Sequence, residues 1–240
     1  MTARGWCGAT AALDGLWRIG RTMLDLIVPR APRRALRVLC VGAHCDDIDI
    51  GCGGALLRLI AERGRVDVCW AVFSGGPDRT RELRASARRF LRGAARATVI
   101  THEFRDSYFP GQYAAIKESF ELLKRLPDPD LIFTHGTDDL HQDHRIIGDL
   151  TWNTFRRHLI LEYEIPKYDA GLPPPNAYFP LTRAQGLAKI RILMSCYRSQ
   201  LSKSWFTEET FRALLRLRGI ESAAESGWAE AFHARKLCLR

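Results

Sequence analysis

Two short segments gather most of the side chains that could do chemistry: His44-Cys45-Asp46-Asp47, and Asp138-Asp139-Leu140-His141-Gln142-Asp143-His144. A hydrolytic zinc site presents three His or carboxylate ligands and keeps a fourth position for water. His44, Asp47 and His144 would supply that set. Asp46, beside one ligand, could take a proton from the attacking water. His141 could polarise a carbonyl or stabilise an oxyanion, and Asp143 could hold a histidine ring in its working tautomer. A lone His-Asp-Asp loop is more often a helix cap or a turn. The second segment weighs against that plain reading, because three acids and two histidines crowd into seven residues after an apolar strand, where packing has no use for them.

The elements that must position these residues alternate in type. The run Ala35 to Ala43 is almost continuously apolar, as a strand buried on both faces of a parallel sheet would be. A polar loop, the run Gly51 to Gly54 and a helix from Ala55 to Ala61 follow. Strands are expected near 66–73, 98–100, 130–134 and 159–163. Helices are expected around Leu83 to Ala94 and Ile116 to Leu123, then near 184–198, 207–218 and 228–235. A Pro- and Gly-rich loop over 166–179 is long enough to wall a pocket. Alternation of this kind predicts an α/β fold with a parallel sheet and a site at the carboxyl ends of its strands, where both segments fall.

The 240 residues suit one domain. Residues 1–34 read as a basic helical extension ahead of a domain over 35–240, with Leu13, Leu16, Trp17, Ile19, Met23, Leu24 and Ile27 near helical spacing. That extension leaves room for peripheral association with a membrane face. A 46% hydrophobic and 26% charged composition is that of a globular protein, and no run is long enough to span a membrane. The seven cysteines are odd in number and lack a CxxC pair, and no signal-peptide pattern opens the chain, so the cytoplasm is expected, with the inner face of the membrane open to it. The net charge of +9 favours anionic partners such as nucleotide diphosphates or lipid head groups. Nucleic acid is not expected, because no zinc finger, basic zipper or RNA-binding signature accompanies the charge.

The motifs resemble those of a known family, the PIG-L/LmbE-like N-acetylglucosamine deacetylases. Ala43-His44-Cys45-Asp46-Asp47, with Gly51-Cys52-Gly53-Gly54 behind it, is similar to the family's Ala-His-Pro-Asp-Asp loop, and His141-Gln142-Asp143-His144 is similar to its His-x-Asp-His segment. The likeness runs from about Arg37 to the C-terminus. It implies a Rossmann-like three-layer sandwich with a mostly parallel central sheet. It also implies one Zn²⁺ per chain, or another divalent ion, on His44, Asp47 and His144, with Asp46 as general base and His141 as the electrophilic group. The implied substrate is an N-acetylated amino sugar or its glycoconjugate, nucleotide- or lipid-linked forms included. Arg79 resembles a substrate-contacting arginine of the family. Phe104-Arg105-Asp106, Glu162 to Asp169, Ser199-Gln200 and Ala229 to Phe232 are similar to a bacterial branch found in polysaccharide and sugar modification. Arg79, Asp106, Asp139 and Glu164 are therefore the expected substrate contacts. Cys45 departs from the pattern, since proline usually stands there and fixes a backbone angle.

Three other readings compete. A cysteine hydrolase on Cys45 and His44 would leave Asp46, Asp47 and the second histidine pair without a role. A non-catalytic nucleotide- or sugar-binding module could use Gly51, Gly53 and Gly54 ahead of a helix, but position 56 is Leu where a dinucleotide fingerprint needs Gly. A zinc amidase acting on another small N-acyl compound or a thiol conjugate keeps the metal and changes only the substrate.

Overall fold

The computed structural model describes residues 34–238, so the helical extension expected over residues 1–34 lies almost wholly outside the described residues. Fifteen elements alternate much as the sequence pattern requires. They are β1 (Leu36–Gly42), α1 (Asp47–Arg63), β2 (Val66–Val72), α2 (Pro77–Phe90) and β3 (Arg96–Thr101); a 3₁₀ turn (Phe109–Gln112), α3 (Tyr113–Leu123), β4 (Leu131–His135), α4 (Gln142–Thr154) and β5 (Leu159–Tyr163); then β6 (Ala177–Pro180), α5 (Arg183–Cys196), a 3₁₀ turn (Arg198–Gln200), α6 (Glu208–Glu221) and β7 (Ala229–His233).

The seven strands form one sheet in the order β3-β2-β1-β4-β5-β7-β6. The first five run parallel, while β7 is antiparallel to both β5 and β6. Parallel strands need crossovers, and the helices of those crossovers bury both faces of the sheet. On one face Leu56, Leu83, Phe90, Ile190, Leu193 and Leu215 pack from α1, α2, α5 and α6. On the other, Ile116, Phe120, Ile147 and Leu150 pack from α3 and α4. The result is the expected three-layer α/β sandwich. Each fully buried Leu, Ile or Phe side chain contributes about 1.5–3 kcal/mol relative to exposure, so these two layers hold the strand ends in register.

The chain leaves β1 toward β2 and leaves β4 toward β5, with α1 and α4 on opposite faces. Such a reversal opens a crevice at the carboxyl ends of the two central strands. Both chemistry-bearing segments begin there.

Three local expectations are corrected. Residues 228–235 do not form a helix: β7 occupies them, because pairing of Phe232 with Tyr163 and Ala177 outweighs the helical preference of Ala229, Glu230 and Ala231. The loop over 166–179 ends by entering β6. The polar run after β4 contains the first turn of α4, so His144 stands on a helix rather than at a strand end.

Candidate functional site

Asp46 is the N-cap residue of α1 and Asp47 its first helical residue, which puts two carboxylates at the positive end of a helix directly above β1. His141 is the N-cap of α4, with its Nδ1 accepting the Asp143 amide at 3.2 Å, and His144 follows one turn later. A helix cap, the plain alternative for such residues, therefore occurs at His141 but not at Asp46, whose side chain caps no amide, and the same residues also converge.

His44 Nδ1 lies 3.1 Å from His144 Nε2. Asp47 Oδ2 is 3.4 Å from His44 Nδ1, and Asp47 Oδ1 is 3.6 Å from His144 Nε2. Four ligands at 2.0–2.1 Å around a tetrahedral zinc ion would stand about 3.3 Å apart, and the three observed separations bracket that value. The other nitrogen of each ring is already committed to carboxylates. His144 Nδ1 is 2.9 Å from Asp139 Oδ2, while His44 Nε2 faces Asp106 Oδ1 at 3.2 Å and Asp143 Oδ2 at 3.4 Å. With the ring protons held there, the two inward nitrogens and the Asp47 carboxylate all present lone pairs to one point. A donor set of that kind repels itself unless a cation lies among it, so the residues fit a zinc ion. Three overlapping groups of His and Asp ligand atoms, all built around His44 or His144, are close enough to share an ion.

Without a metal, the electrostatics put a proton on His44 at the place an ion would take. Burial opposes charge on His44, but Asp47, Asp106 and Asp143 outweigh it and hold its pKa well above the usual value. Burial, with His135 adding to it, pushes His144 down to about 3 despite Asp47 and Asp139. Burial also works against Asp47, yet His144, His135 and His44 together hold it well below the ordinary carboxylate range. Asp46 moves the other way: burial raises its pKa, and the Arg79 guanidinium on its Oδ1 limits the rise. His141 is lowered by burial and by His44, which keeps the ring neutral. Because its Nδ1 accepts a backbone amide, its Nε2 carries the proton and can donate.

Asp143 is fully buried, and its oxygens also accept the Ser107 and Phe109 amides at 2.6 and 3.2 Å. Ser107 holds a left-handed φ of 64° to aim that amide, a strain of order 1–3 kcal/mol kept at the site. Asp106 is exposed beside the same His44 edge.

Of the expected substrate contacts, Arg79 is spent at least in part on Asp46. Asp139 is corrected: it is buried behind His144, accepts the His141 amide at 2.7 Å and pairs with Lys167 at 2.9 Å, so it orients a ring rather than facing substrate. Glu164 is also corrected, since both its oxygens are taken by Arg218 of α6. Glu230, in the stretch Ala229 to Phe232 that is similar to the bacterial branch, binds the backbone of α1.

His135 was not anticipated. It ends β4 fully buried, with Nε2 at 3.0 Å from both the Ala43 amide nitrogen and Asp47 Oδ2, and its ring stacks on His144 at 3.9 Å. A histidine closing a buried strand at the site's edge was the signal available for it. Lys167, behind Asp139, lies in the stretch Glu162 to Asp169 but was not singled out there.

Two competing readings lose their footing. The Cys45 thiol is buried against the Ser74 carbonyl, and burial pushes its pKa up to about 12, so it is no nucleophile. Gly51, Gly53 and Gly54 lie inside α1 rather than in a loop before it, and closeness explains them. A Cβ on Gly51 would stand 2.3 Å from the Tyr163 ring, and one on Gly54 would stand 2.8 Å from Glu230 Oε1.

Several solved structures share this fold. The 4-carboxy-2-hydroxymuconate hydratase GalB from Pseudomonas putida KT2440 superposes with a TM-score of 0.68 at 16% identity, over 85% of this chain and 98% of that one. N,N'-diacetylchitobiose deacetylase from Pyrococcus horikoshii gives 0.60 at 21% identity, over 83% of each chain. The zinc inhibited form of teicoplanin deacetylase gives 0.63 at 15%, over 82% and 96%. Since a hydratase stands among them, the fold alone does not choose the reaction. Residues 39–155, which hold both chemistry-bearing segments, match the family model PIG-L, described as GlcNAc-PI de-N-acetylase. The PIG-L match thus runs from within β1 to just past the end of α4, the part of the fold that positions the site.

Proposed function

We propose that the chain is a zinc-dependent hydrolase that removes the acetyl group from an N-acetylated amino sugar or its glycoconjugate. The convergence of His44 Nδ1, His144 Nε2 and Asp47 on one point, with Asp46 and His141 alongside, carries this reading. His44, Asp47 and His144 would hold the ion. Zinc bound there would polarise the amide carbonyl and bring the pKa of water toward about 7.

The remaining work falls to the chain's own side chains. Asp46 takes the proton from the attacking water, a role suited to a carboxylate whose basicity burial has raised. Its pairing with Arg79 fixes the direction from which it does so. His141 donates its Nε2 proton in a hydrogen bond to the carbonyl oxygen as negative charge builds there. Asp46 then returns its proton to the departing nitrogen, so water and amide become acetate and a free amine. Asp139 and Asp143, backed by Lys167 and Ser107, keep the two ligand rings turned inward.

The PIG-L match and the deacetylases that share the fold support an acetylated sugar as substrate. The net charge of +9 supports one that carries phosphate, whether nucleotide- or lipid-linked. Among the described residues no helix is long and apolar enough to cross a membrane.

Metal content and acetate release test this reading on a panel of N-acetylated sugars, nucleotide sugars, lipid-linked sugars and N-acyl thiol conjugates, with His144→Ala as the control. About one zinc per chain, and acetate release from a sugar that the variant loses, is the expected result. Turnover of the thiol conjugate alone would move the assignment to that amidase class. A folded wild type without zinc or turnover after zinc addition would overturn it.

A further inference from the structure

The second turn of α1 contains an arrangement unusual for a buried helix. The Glu230 carboxylate, reaching in from β7, accepts the backbone amides of Gly54 and Ala55, each at 2.7 Å. Lys189 of α5 donates to the Ile50 carbonyl and to Glu230 Oε1, each at 2.5 Å. Both side chains are almost completely buried, with Lys189 at 3% and Glu230 at 4% exposure. A cation thus caps the carbonyl that ends the first turn of α1, and an anion caps the amides that open the next stretch. Gly54 makes this possible, because any Cβ there would meet the carboxylate and Leu181.

A buried ion pair is a poor means of stabilisation, since desolvating two charges offsets most of their attraction. A second buried pair, Glu164 with Arg218, borders the same small cavity of about 20 Å³ as the first, and its hydrogen bonds go to each other and to Glu221 rather than to the α1 backbone. What sets Lys189 and Glu230 apart is what they grip. The turn they fix, Asp47 to Ile50, is the one that carries Asp47 and, as its N-cap, Asp46.

We infer that Lys189 and Glu230 are positioning residues for the zinc site, pinning the first turn of α1 so that Asp46 and Asp47 keep their directions. This rests on the proposal that Asp47 is a zinc ligand. The pair acts through the Ile50 carbonyl and the Gly54 and Ala55 amides and touches neither metal nor substrate. Neutralising the pair as Lys189→Met/Glu230→Gln removes the desolvation cost while setting a side-chain NH₂ at position 230 against a backbone N–H, so the fold is kept and the grip is lost.

The test measures zinc affinity by chelator competition and amide exchange over residues 47–55. It compares wild type, the Lys189→Met/Glu230→Gln variant and a Glu164→Gln/Arg218→Met control. The expected result is a zinc affinity about ten-fold weaker or worse in the first variant, with faster exchange over residues 47–55, and neither change in the control. Affinity within two-fold of wild type, or an equal loss in the control, would overturn the inference by reducing the pair to general packing. Should wild type bind no zinc, the ligand assignment fails by itself. Exchange then judges the pair, and unchanged protection over residues 47–55 would sink it.

Discussion

Two successive turns of α1 border buried charge, and they treat it in opposite ways. Around the second turn every charge meets its complement: Lys189 meets Glu230 and a carbonyl, and Glu230 meets two amides. Around the first turn, once each ring keeps only its outer proton, acceptors face acceptors, with two histidine nitrogens and a carboxylate within 3.1–3.6 Å of one another and their outer edges locked by further carboxylates. Low dielectric strengthens attraction in the first case and repulsion in the second. A satisfied network can hold backbone in place but has no capacity left for a ligand; a set of converging acceptors is stable only with a cation, and that need is what makes it useful. Burial alone therefore does not mark a functional site, whereas burial of groups that lack their complement does.

The largest effect should come from the one carboxylate at the first turn that is assigned to chemistry rather than to holding a cation. Asp46→Asn should keep zinc near wild-type content and lower kcat by about 100- to 10,000-fold, the usual worth of a general base. Metal analysis beside steady-state acetate release checks it. Full activity would remove Asp46 from the chemistry and leave the first turn as only a metal cradle. A smaller effect is expected one layer out, at Asp139, which holds the His144 proton on the outer nitrogen. Asp139→Asn should weaken zinc affinity by about 10- to 100-fold, read by chelator competition. If affinity did not change, the convergence of lone pairs would not depend on that outer lock.

The sequence disclosed these two turns unequally. The alternation of apolar runs and the placement of polar segments after β1 and β4 were readable, because a parallel sheet buried on both faces leaves continuous apolar strands. His44, Asp46, Asp47, His141, Asp143 and His144 stood out because packing does not ask for such residues there. Asp139 and Glu164 were misjudged for one reason: a carboxylate's type does not say whether it faces a pocket or a partner, and Lys167 and Arg218, which pair with them, stand 28 and 54 residues further on. Residues 228–235 looked helical because Ala and Glu favour helix locally, while the pairing that makes them β7 comes from Tyr163 and Ala177, more than fifty residues upstream. His135 was visible as a residue and not as a participant. Its role depends on two strand ends coming together.

The first turn also carries Asp49, fully buried, accepting from Ser86 and 2.7 Å from the Tyr197 hydroxyl, which is also 2.7 Å from the Cys45 carbonyl. One hydroxyl proton cannot serve both acceptors, so a protonated Asp49 completes the chain by donating to Tyr197 while Tyr197 donates to Cys45. Burial raises the Asp49 pKa to about 8, in keeping with that. The folded chain then binds a proton that the unfolded chain releases near the ordinary value of 3.8, so this group's stability is full at low pH and is lost as pH rises toward and through about 8. Asn at position 49 mimics the protonated acid without titrating. Urea unfolding of the metal-stripped protein should therefore show Asp49→Asn gaining stability relative to wild type between about pH 5 and pH 8.5. A difference independent of pH would mean that Asp49 is already ionised, and that the first turn too contains an ordinary paired charge.

The smallest effect is expected at Cys45, where the ligand loop lacks the proline of the family pattern. The Tyr197 hydroxyl holds the Cys45 carbonyl, and the thiol lies closed in against the Ser74 carbonyl. This contact supplies the restraint that a fixed φ would otherwise give. Because burial pushes the thiol up to about 12, almost none of it is thiolate near neutral pH. Cys45→Ser keeps the backbone anchor and a side chain able to donate to Ser74, so zinc content should be unchanged and kcat/KM should stay within about two-fold. Treatment of the native protein with iodoacetamide should likewise spare activity, because the thiol is both protonated and inaccessible. Inactivation by either route would move the nucleophile from water to sulfur. The converging acceptors around Asp47 would then be support for a cysteine rather than a cradle for a cation.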